Sequence, residues 1–164
     1  MTGAIVQINI SPGGIPKRPI PEGFLTPLGI QGDACNHPAI HGGPEKAILL
    51  LAAETVEELI ARGYPLFFGA LGENLTTRGL DRRQWRVGQQ FRAGGASLEL
   101  TRIRVPCATL DVYGPSLKEE LYDLRVKEGD VASPRWGMSG FYARVLRPGP
   151  IRRDDIISLE SVLA

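Results

Sequence analysis

Apolar and polar positions alternate along several short runs of this 164-residue chain, and alternation of period two predicts β-strands with one face buried. Val6, Ile8 and Ile10 alternate with Gln7 and Asn9, and Ser11-Pro12-Gly13-Gly14 ends the run in a turn. A loop to about Leu25 follows, then Gly29 to Asp33 and a polar loop from Cys35 to Pro44. Lys46 to Leu51 reads as a buried strand. From Ala53 to Arg62 the period changes: Val56, Leu59 and Ile60 fall at helical spacing, Glu54, Glu57 and Glu58 sit near the start, and Gly63 is the stop.

Gly69 to Thr77 reads as a loop entering a strand, and Trp85 to Phe91 runs toward a turn at Ala93-Gly94-Gly95. In the next strand Leu98 and Leu100 share one face, but Ile103 and Val105 have the opposite parity. A one-residue phase shift of this kind implies a β-bulge or a barrel corner near Thr101 to Ile103. Ser116-Leu117-Lys118-Glu119 has the spacing of a capping box, and Leu117, Leu121 and Leu124 predict a short helix to about Val126. Phe141 to Leu146 alternates again, Arg147 to Pro150 turns the chain, and Ile156 to Leu159 makes a last strand. These runs amount to seven or eight strands and two helices. With no βαβ rhythm, they predict a mostly β fold with a few short helices, in which a bent antiparallel sheet closes into a β-barrel over a single domain, 1–164.

Composition narrows the function classes. With 43% hydrophobic and 23% charged residues, 20 glycines and 13 prolines, the chain has the make-up of a soluble globular protein rich in turns. A net charge of +1 gives no general attraction to nucleic acid or to a membrane surface, so any anion site must be local. No apolar run approaches the roughly 20 residues of a membrane helix. Two cysteines are too few for a disulfide framework or a four-thiolate cluster, and the first residues lack a signal-peptide pattern, so a cytoplasmic location is expected.

Among candidate chemical groups, Cys107 closes the run Thr101-Arg102-Ile103-Arg104-Val105-Pro106-Cys107, directly after a proline and near two cations. A thiolate is the nucleophile and the soft metal ligand, and neighbouring cations lower a thiol pKa; a small buried hydrophobe is the alternative. Lys17 and Arg18 follow a glycine pair, as a phosphate-binding loop or as a solvated basic loop. His37 and His41 are four apart, but Pro38 and Gly42-Gly43-Pro44 forbid the helix that would join them as zinc ligands. His41 is therefore read as a loop group facing a substrate or anion. Gly72-Glu73-Asn74 places a carboxyl and an amide where glycine permits close approach of a ligand, or where an Asx turn needs an asparagine.

These pieces together resemble the MOSC domain family, named from the C-terminal domain of molybdenum cofactor sulfurase. The residues that carry the resemblance are Gly32-Asp33, His41 to Ala47, Gly72 to Thr76, Gly88 with Phe91 to Gly94, Arg104 to Cys107 and Gly140 to Leu146. Their order is similar to that of the small stand-alone bacterial branch related to the hydroxylaminopurine-resistance proteins. The resemblance implies a β-barrel whose cysteine, here Cys107, ligates molybdenum in a pterin cofactor (molybdopterin) or carries sulfur as a persulfide. It implies a molybdenum-dependent oxidoreductase that reduces N-hydroxylated bases or related N-oxygenated compounds. Cys107 and His41 would then be catalytic, with Lys17, Arg102, Arg104, Asn74 and Glu73 facing the cofactor.

No flavin, haem or iron–sulfur motif is visible, so an electron-donor reductase, or for the carrier reading a sulfur donor, is the expected partner beside a small-molecule substrate. Exposed β edges make a homodimer reasonable. The chain departs from the branch in two places. Leu51-Ala52-Ala53-Glu54-Thr55 stands where an aromatic residue and a histidine are usual, and Arg102 stands where a glutamine is. Both departures leave room for a changed substrate or cofactor contact.

Overall fold

The computed structural model describes residues 1–34 and 42–160, so Cys35, His37 and His41 lie outside the described residues. Its centre is a ring of seven strands in the order β11 (Ile156–Leu159), β7 (Gln90–Ala93), β8 (Ala96–Ile103), β9 (Phe141–Arg147), β5 (Ile48–Ala52), β6 (Leu75–Arg78) and β1 (Thr2–Ile10), which pairs again with β11. β2 (Arg18–Ile20) adds to β1 outside the ring. A small sheet joins β10 (Gly149–Arg152), β3 (Glu22–Thr26) and β4 (Gly29–Ile30). The expected barrel is present, antiparallel at every ring pairing except the parallel contact of β5 with β6.

Of three register shifts in the ring, one between β1 and β6 and two between β8 and β9, two decide which side chains of β1 and β8 face inward. In β1 the register shifts between Ile5 and Gln7, so Ile5 and Ile8 are buried while Val6 and Ile10 stay partly exposed. The alternation of Val6, Ile8 and Ile10 read from the sequence is thus broken by one inserted residue. In β8 the register shifts between Leu100 and Arg102, where the sequence pattern places the phase break. Leu98 and Leu100 point into the barrel before the shift, and Ile103 packs against the same core after it.

The barrel core includes Ile5, Ile8, Leu50, Leu75, Phe91, Leu98, Leu100 and Phe141. Phe141 meets Trp85 at 6.0 Å and Trp136 at 6.1 Å in edge-to-face arrangements. The Trp136 indole donates a 2.8 Å hydrogen bond to the Trp85 carbonyl. All five residues of β5 are buried. Ile48 and Leu50 belong to the barrel core, and Leu51 to a second cluster with α1 (Ala53–Ala61) and α2 (Leu117–Leu121). A strand covered on both faces reads as the continuous apolar run seen here.

Several local expectations are corrected. The stretch to Leu25 holds β2 and most of β3 rather than a plain loop, and Lys46 ends a 310 turn instead of opening β5. The Ser116 side chain makes no cap to an amide; its Oγ hydrogen-bonds the Tyr64 hydroxyl at 2.9 Å. The helix predicted to Val126 breaks at Tyr122, which is extended, and restarts as α3 (Leu124–Lys127), capped by Asp123 accepting from the Val126 amide at 2.8 Å. Leu117 and Leu121 are buried but Leu124 is 66% exposed, so the apolar stripe holds for one turn only.

Because Phe141 is fully buried between two indoles, Phe141→Ala should cost about 3–5 kcal/mol in denaturant unfolding. A loss below about 1 kcal/mol would show that the aromatic cluster is not what fills the barrel.

Candidate functional site

The strand ends that approach one another around Asn74 carry two polar clusters. Asn74 directly precedes β6, and its side chain ties three segments: Oδ1 accepts from the Leu49 amide at 3.0 Å, and Nδ2 donates to Asp33 Oδ2 at 2.8 Å and to the Asn9 carbonyl at 3.3 Å. Its main chain bonds Leu49 and Asn9 as well. Lys17 Nζ forms an ion pair with Asp33 Oδ1 at 2.6 Å and donates to the Ala34 carbonyl at 3.3 Å. The Ser11 amide donates to the same Asp33 oxygen at 2.9 Å.

Gly69 makes the first cluster possible. Its φ is 97°, and a Cβ there would lie 2.2 Å from the Lys17 carbonyl, whose amide donates back to Gly69 at 2.9 Å. The buried lysine is therefore held from both backbone and side chain. Asp33 is its counter-ion, so Lys17, Asp33 and Asn74 form one buried network beside the site.

The second cluster is built on the chain leaving β8. The Arg104 amide donates to the Gly140 carbonyl at 2.9 Å, and the Ser139 hydroxyl donates to the Arg104 carbonyl at 2.6 Å. This fixes the backbone three residues before Cys107, the one free cysteine among the described residues. Cys107 is half-buried, and its sulfur lies 2.9 Å from the Thr109 hydroxyl. Burial pushes the thiol pKa up, but the Thr109 hydroxyl and amide, the Arg104 guanidinium and the Lys118 ammonium together outweigh it, leaving the group below the ordinary thiol value.

Arg104 itself is buried, and its Nη1 has no hydrogen-bond partner. Burial pulls its pKa down, while Tyr142, Cys107 and Glu73 push it up, so these groups share one neighbourhood. Glu73 is fully buried; its Oε2 accepts from Thr76 at 3.0 Å and its Oε1 has no partner. Burial raises its pKa against the Gly69 and Glu73 amides, the Thr76 hydroxyl and Arg104. Tyr113 extends the neighbourhood: burial raises its pKa, Glu73 adds to that, and Arg18 opposes it. Arg18 in turn lies 5.1 Å from the Phe67 ring centroid, and Lys46 Nζ is 5.4 Å from that of Tyr142.

The arrangement brings Cys107, Arg104 and Glu73 together and sets Lys17 and Asn74 in the adjoining network. Arg102 is exposed, on the outer face of β8 opposite Tyr142, while the cations acting on the Cys107 sulfur are Arg104 and Lys118. His41 lies outside the described residues. Asp33, Thr109, Tyr113 and Lys118 were missed as site groups. Asp33 stands in the Gly32-Asp33 pair that carried the resemblance, and Thr109 follows Cys107 by two residues; Tyr113 and Lys118 have no sequence signal that separates them from surface residues. Among the described residues no three His, Cys, Asp or Glu side chains cluster as a metal cage.

The MOSC domain family model matches residues 37–158. This chain belongs to the MOSC domain family. It is 34% identical over 143 residues to YflK from Bacillus subtilis (strain 168), a match covering 84% of this chain and 59% of that protein. With the protein YiiM from Escherichia coli (strain K12) it shares 31% identity over 147 residues, 85% of this chain and 60% of that one. The chain thus spans about three fifths of the length of these curated relatives. The crystal structure of YiiM from Geobacillus stearothermophilus superposes with a TM-score of 0.72 at 27% identity, covering 97% of this MOSC chain and 75% of that one. Among the described residues no helix is long and apolar enough to cross a membrane.

A thiol pKa below the ordinary value keeps thiolate present at lower pH. In a Cys35→Ser background, the pH midpoint of Cys107 alkylation should fall below that of a free cysteine, and Thr109→Val should move it up. Iodoacetamide kinetics followed by mass spectrometry measure both; a midpoint unchanged by Thr109→Val would exclude the hydroxyl as a stabiliser.

Proposed function

We propose that this MOSC protein binds a molybdenum–pterin cofactor with Cys107 as its protein ligand and reduces N-hydroxylated bases or related N-oxygenated compounds. The observation that carries the reading is a half-buried thiol, its pKa held below the ordinary thiol value, three residues after a buried guanidinium whose Nη1 lacks a partner. A soft sulfur that gives up its proton more readily than an ordinary thiol suits molybdenum, and the unpartnered guanidinium suits the negative charge of the cofactor or of its bound oxygen ligands.

When bound, the cofactor contributes two-electron chemistry, and reduction of an N–OH group to N–H with release of water takes two electrons and two protons. The electrons come from a separate donor, a flavin- or iron–sulfur-containing reductase. The protein's part is to hold the sulfur, place positive charge beside it and admit substrate at the half-exposed face. Arg18, Phe67 and Tyr113 offer a cationic and aromatic border on which a flat base can rest. Homodimer formation, a cytoplasmic location and a role for His41 belong to this proposal.

A second reading keeps Cys107 as a sulfur carrier: a half-exposed, activated thiol is also the right group to accept sulfur as a persulfide. The two readings part on the bound species. Protein made in a cofactor-competent host should contain molybdenum and the fluorescent oxidised pterin, and Cys107→Ala should lose the metal. Metal and pterin retained at wild-type levels in Cys107→Ala would remove the ligand role. Alternatively, a gain of about 32 daltons on Cys107 after incubation with a desulfurase, without bound molybdenum, would select the carrier.

A further inference from the structure

The chain that carries Cys107 is pinned by the segment Pro134 to Gly140, which leads into β9. The end of that segment grips Arg104 at both main-chain groups. The Ser139 hydroxyl donates to the Arg104 carbonyl at 2.6 Å, and the Gly140 carbonyl accepts the Arg104 amide at 2.9 Å. Ser139 is 1% exposed, so its hydroxyl is committed to this bond without competition from bulk water. Beyond Arg104, only Val105 and Pro106 separate the grip from Cys107, whose carbonyl accepts the Leu110 amide at 3.1 Å and opens the 310 turn Ala108–Tyr113. The thiol therefore hangs between two anchors, and Ser139 supplies part of one.

The segment is itself braced at its other end by Arg82. The next residue, Arg83, pairs with Asp81 at 3.0 Å. The Arg82 guanidinium makes no ion pair among the described residues and donates instead to two carbonyls of the segment, Pro134 at 3.1 Å and Trp136. Gly137 packs against the Arg82 carbonyl: its φ is 76°, and a Cβ there would come within 2.7 Å of that oxygen. A planar fork can span two carbonyls at once, which a single ammonium cannot. The result is a bridge from the 310 turn Arg82–Gln84 to the main chain of Arg104.

We propose that Ser139 is a positioning residue of the thiol site, holding the Arg104 guanidinium beside Cys107 through the Arg104 main chain, with Arg82 bracing the segment that carries it. The inference rests on Cys107 being the group that reacts, and not on whether it takes metal or sulfur. Arg104 is buried and pairs with no carboxylate among the described residues, so the hold on its main chain decides where its charge lies. Two cations act on the sulfur, Arg104 from the chain after β8 and Lys118 from α2. Ser139 is in contact with the first.

Those two cations provide the test. On the full chain prepared in a host without the cofactor, iodoacetamide rates are read at one fixed pH by mass spectrometry of the Cys107 peptide. Ser139→Ala should slow the reaction about two- to fivefold in the wild-type background and again in Lys118→Met, whereas in Arg104→Met it should change the rate less than about 1.5-fold. A general loosening of the fold would act alike in all three backgrounds, so dependence on Arg104 separates positioning from stability.

Slowing that persists undiminished in Arg104→Met, or that is lost in Lys118→Met as well, overturns the proposal. So does a rate in folded Ser139→Ala that is unchanged or faster. If Ser139→Ala does not fold, Arg82→Lys, which keeps the charge but cannot span both carbonyls, takes its place in the same backgrounds, and Arg104→Gln stands in for an unfolded Arg104→Met. Because the rates are read without cofactor, a protein that takes up neither molybdenum nor sulfur ends both readings of function while this outcome is decided separately.

Discussion

Arg104 is a buried positive charge whose counter-ion the described residues do not supply in contact, and the organisation of this face follows from it. The cost of burying an ion is several kcal/mol even after relaxation, and here no carboxylate touches the guanidinium to offset it. What surrounds Arg104 instead are groups whose negative charge is conditional: the Cys107 thiol, the Tyr142 phenol and the Glu73 carboxyl. Each of them is neutral in one state and anionic in another. A cation in such company favours the anion wherever one can form, and the half-buried thiol three residues along the chain is the group best placed to become one.

The barrel places that charge through a single inserted residue. Leu98 and Leu100 point inward, and on an unbroken strand Arg102 and Arg104 would follow them into the apolar core. The register shift between Leu100 and Arg102 reverses the parity, so Ile103 packs against the core and Arg102 lies opposite Tyr142, with the chain then leading to the buried Arg104. Gly140 completes the arrangement. With φ of 92°, and with only 2.5 Å between a hypothetical Cβ and the Leu50 carbonyl, it lets the chain entering β9 pass tightly against β5 while its own carbonyl receives the Arg104 amide. The polarity of the site is thus set by backbone features at the end of β8 and the start of β9.

What the sequence disclosed follows the same division between local and distant causes. The bulge in β8, α1 with its Gly63 stop, and the strand character of Phe141 to Leu146 all rest on period and parity, which neighbouring residues determine. Cys107 and Arg104 were legible because they lie three residues apart on one extended segment. The ion pair of Lys17 was not legible because its partner Asp33 lies 16 residues away, and the Gly69 and Asn74 contacts help hold the two together. Ser116 was misread for a related reason: the capping spacing is local, but the Tyr64 hydroxyl from 52 residues earlier takes its side chain. The short β2 to β4 strands carry too few residues for a period to emerge, and their pairing with one another, with β1 and with β10 is what defines them.

The contrast between the two buried cations bears on what kind of site this is. Lys17 has an ion pair, a carbonyl and a tightly held backbone, so its removal would strip Asp33 of its partner and loosen the contacts around Asn74. It behaves as framework. Arg104 is held just as firmly by its main chain, yet its side chain is left incomplete. A buried charge is weak support for stability even when paired, and an apolar residue of similar volume would pack the same space without the desolvation cost. Local rules are broken in this way where a chain is built to meet something outside itself. The rule is kept at Lys17 and broken at Arg104, whose unpartnered guanidinium nitrogen lies in the neighbourhood of Cys107, Glu73 and Tyr142.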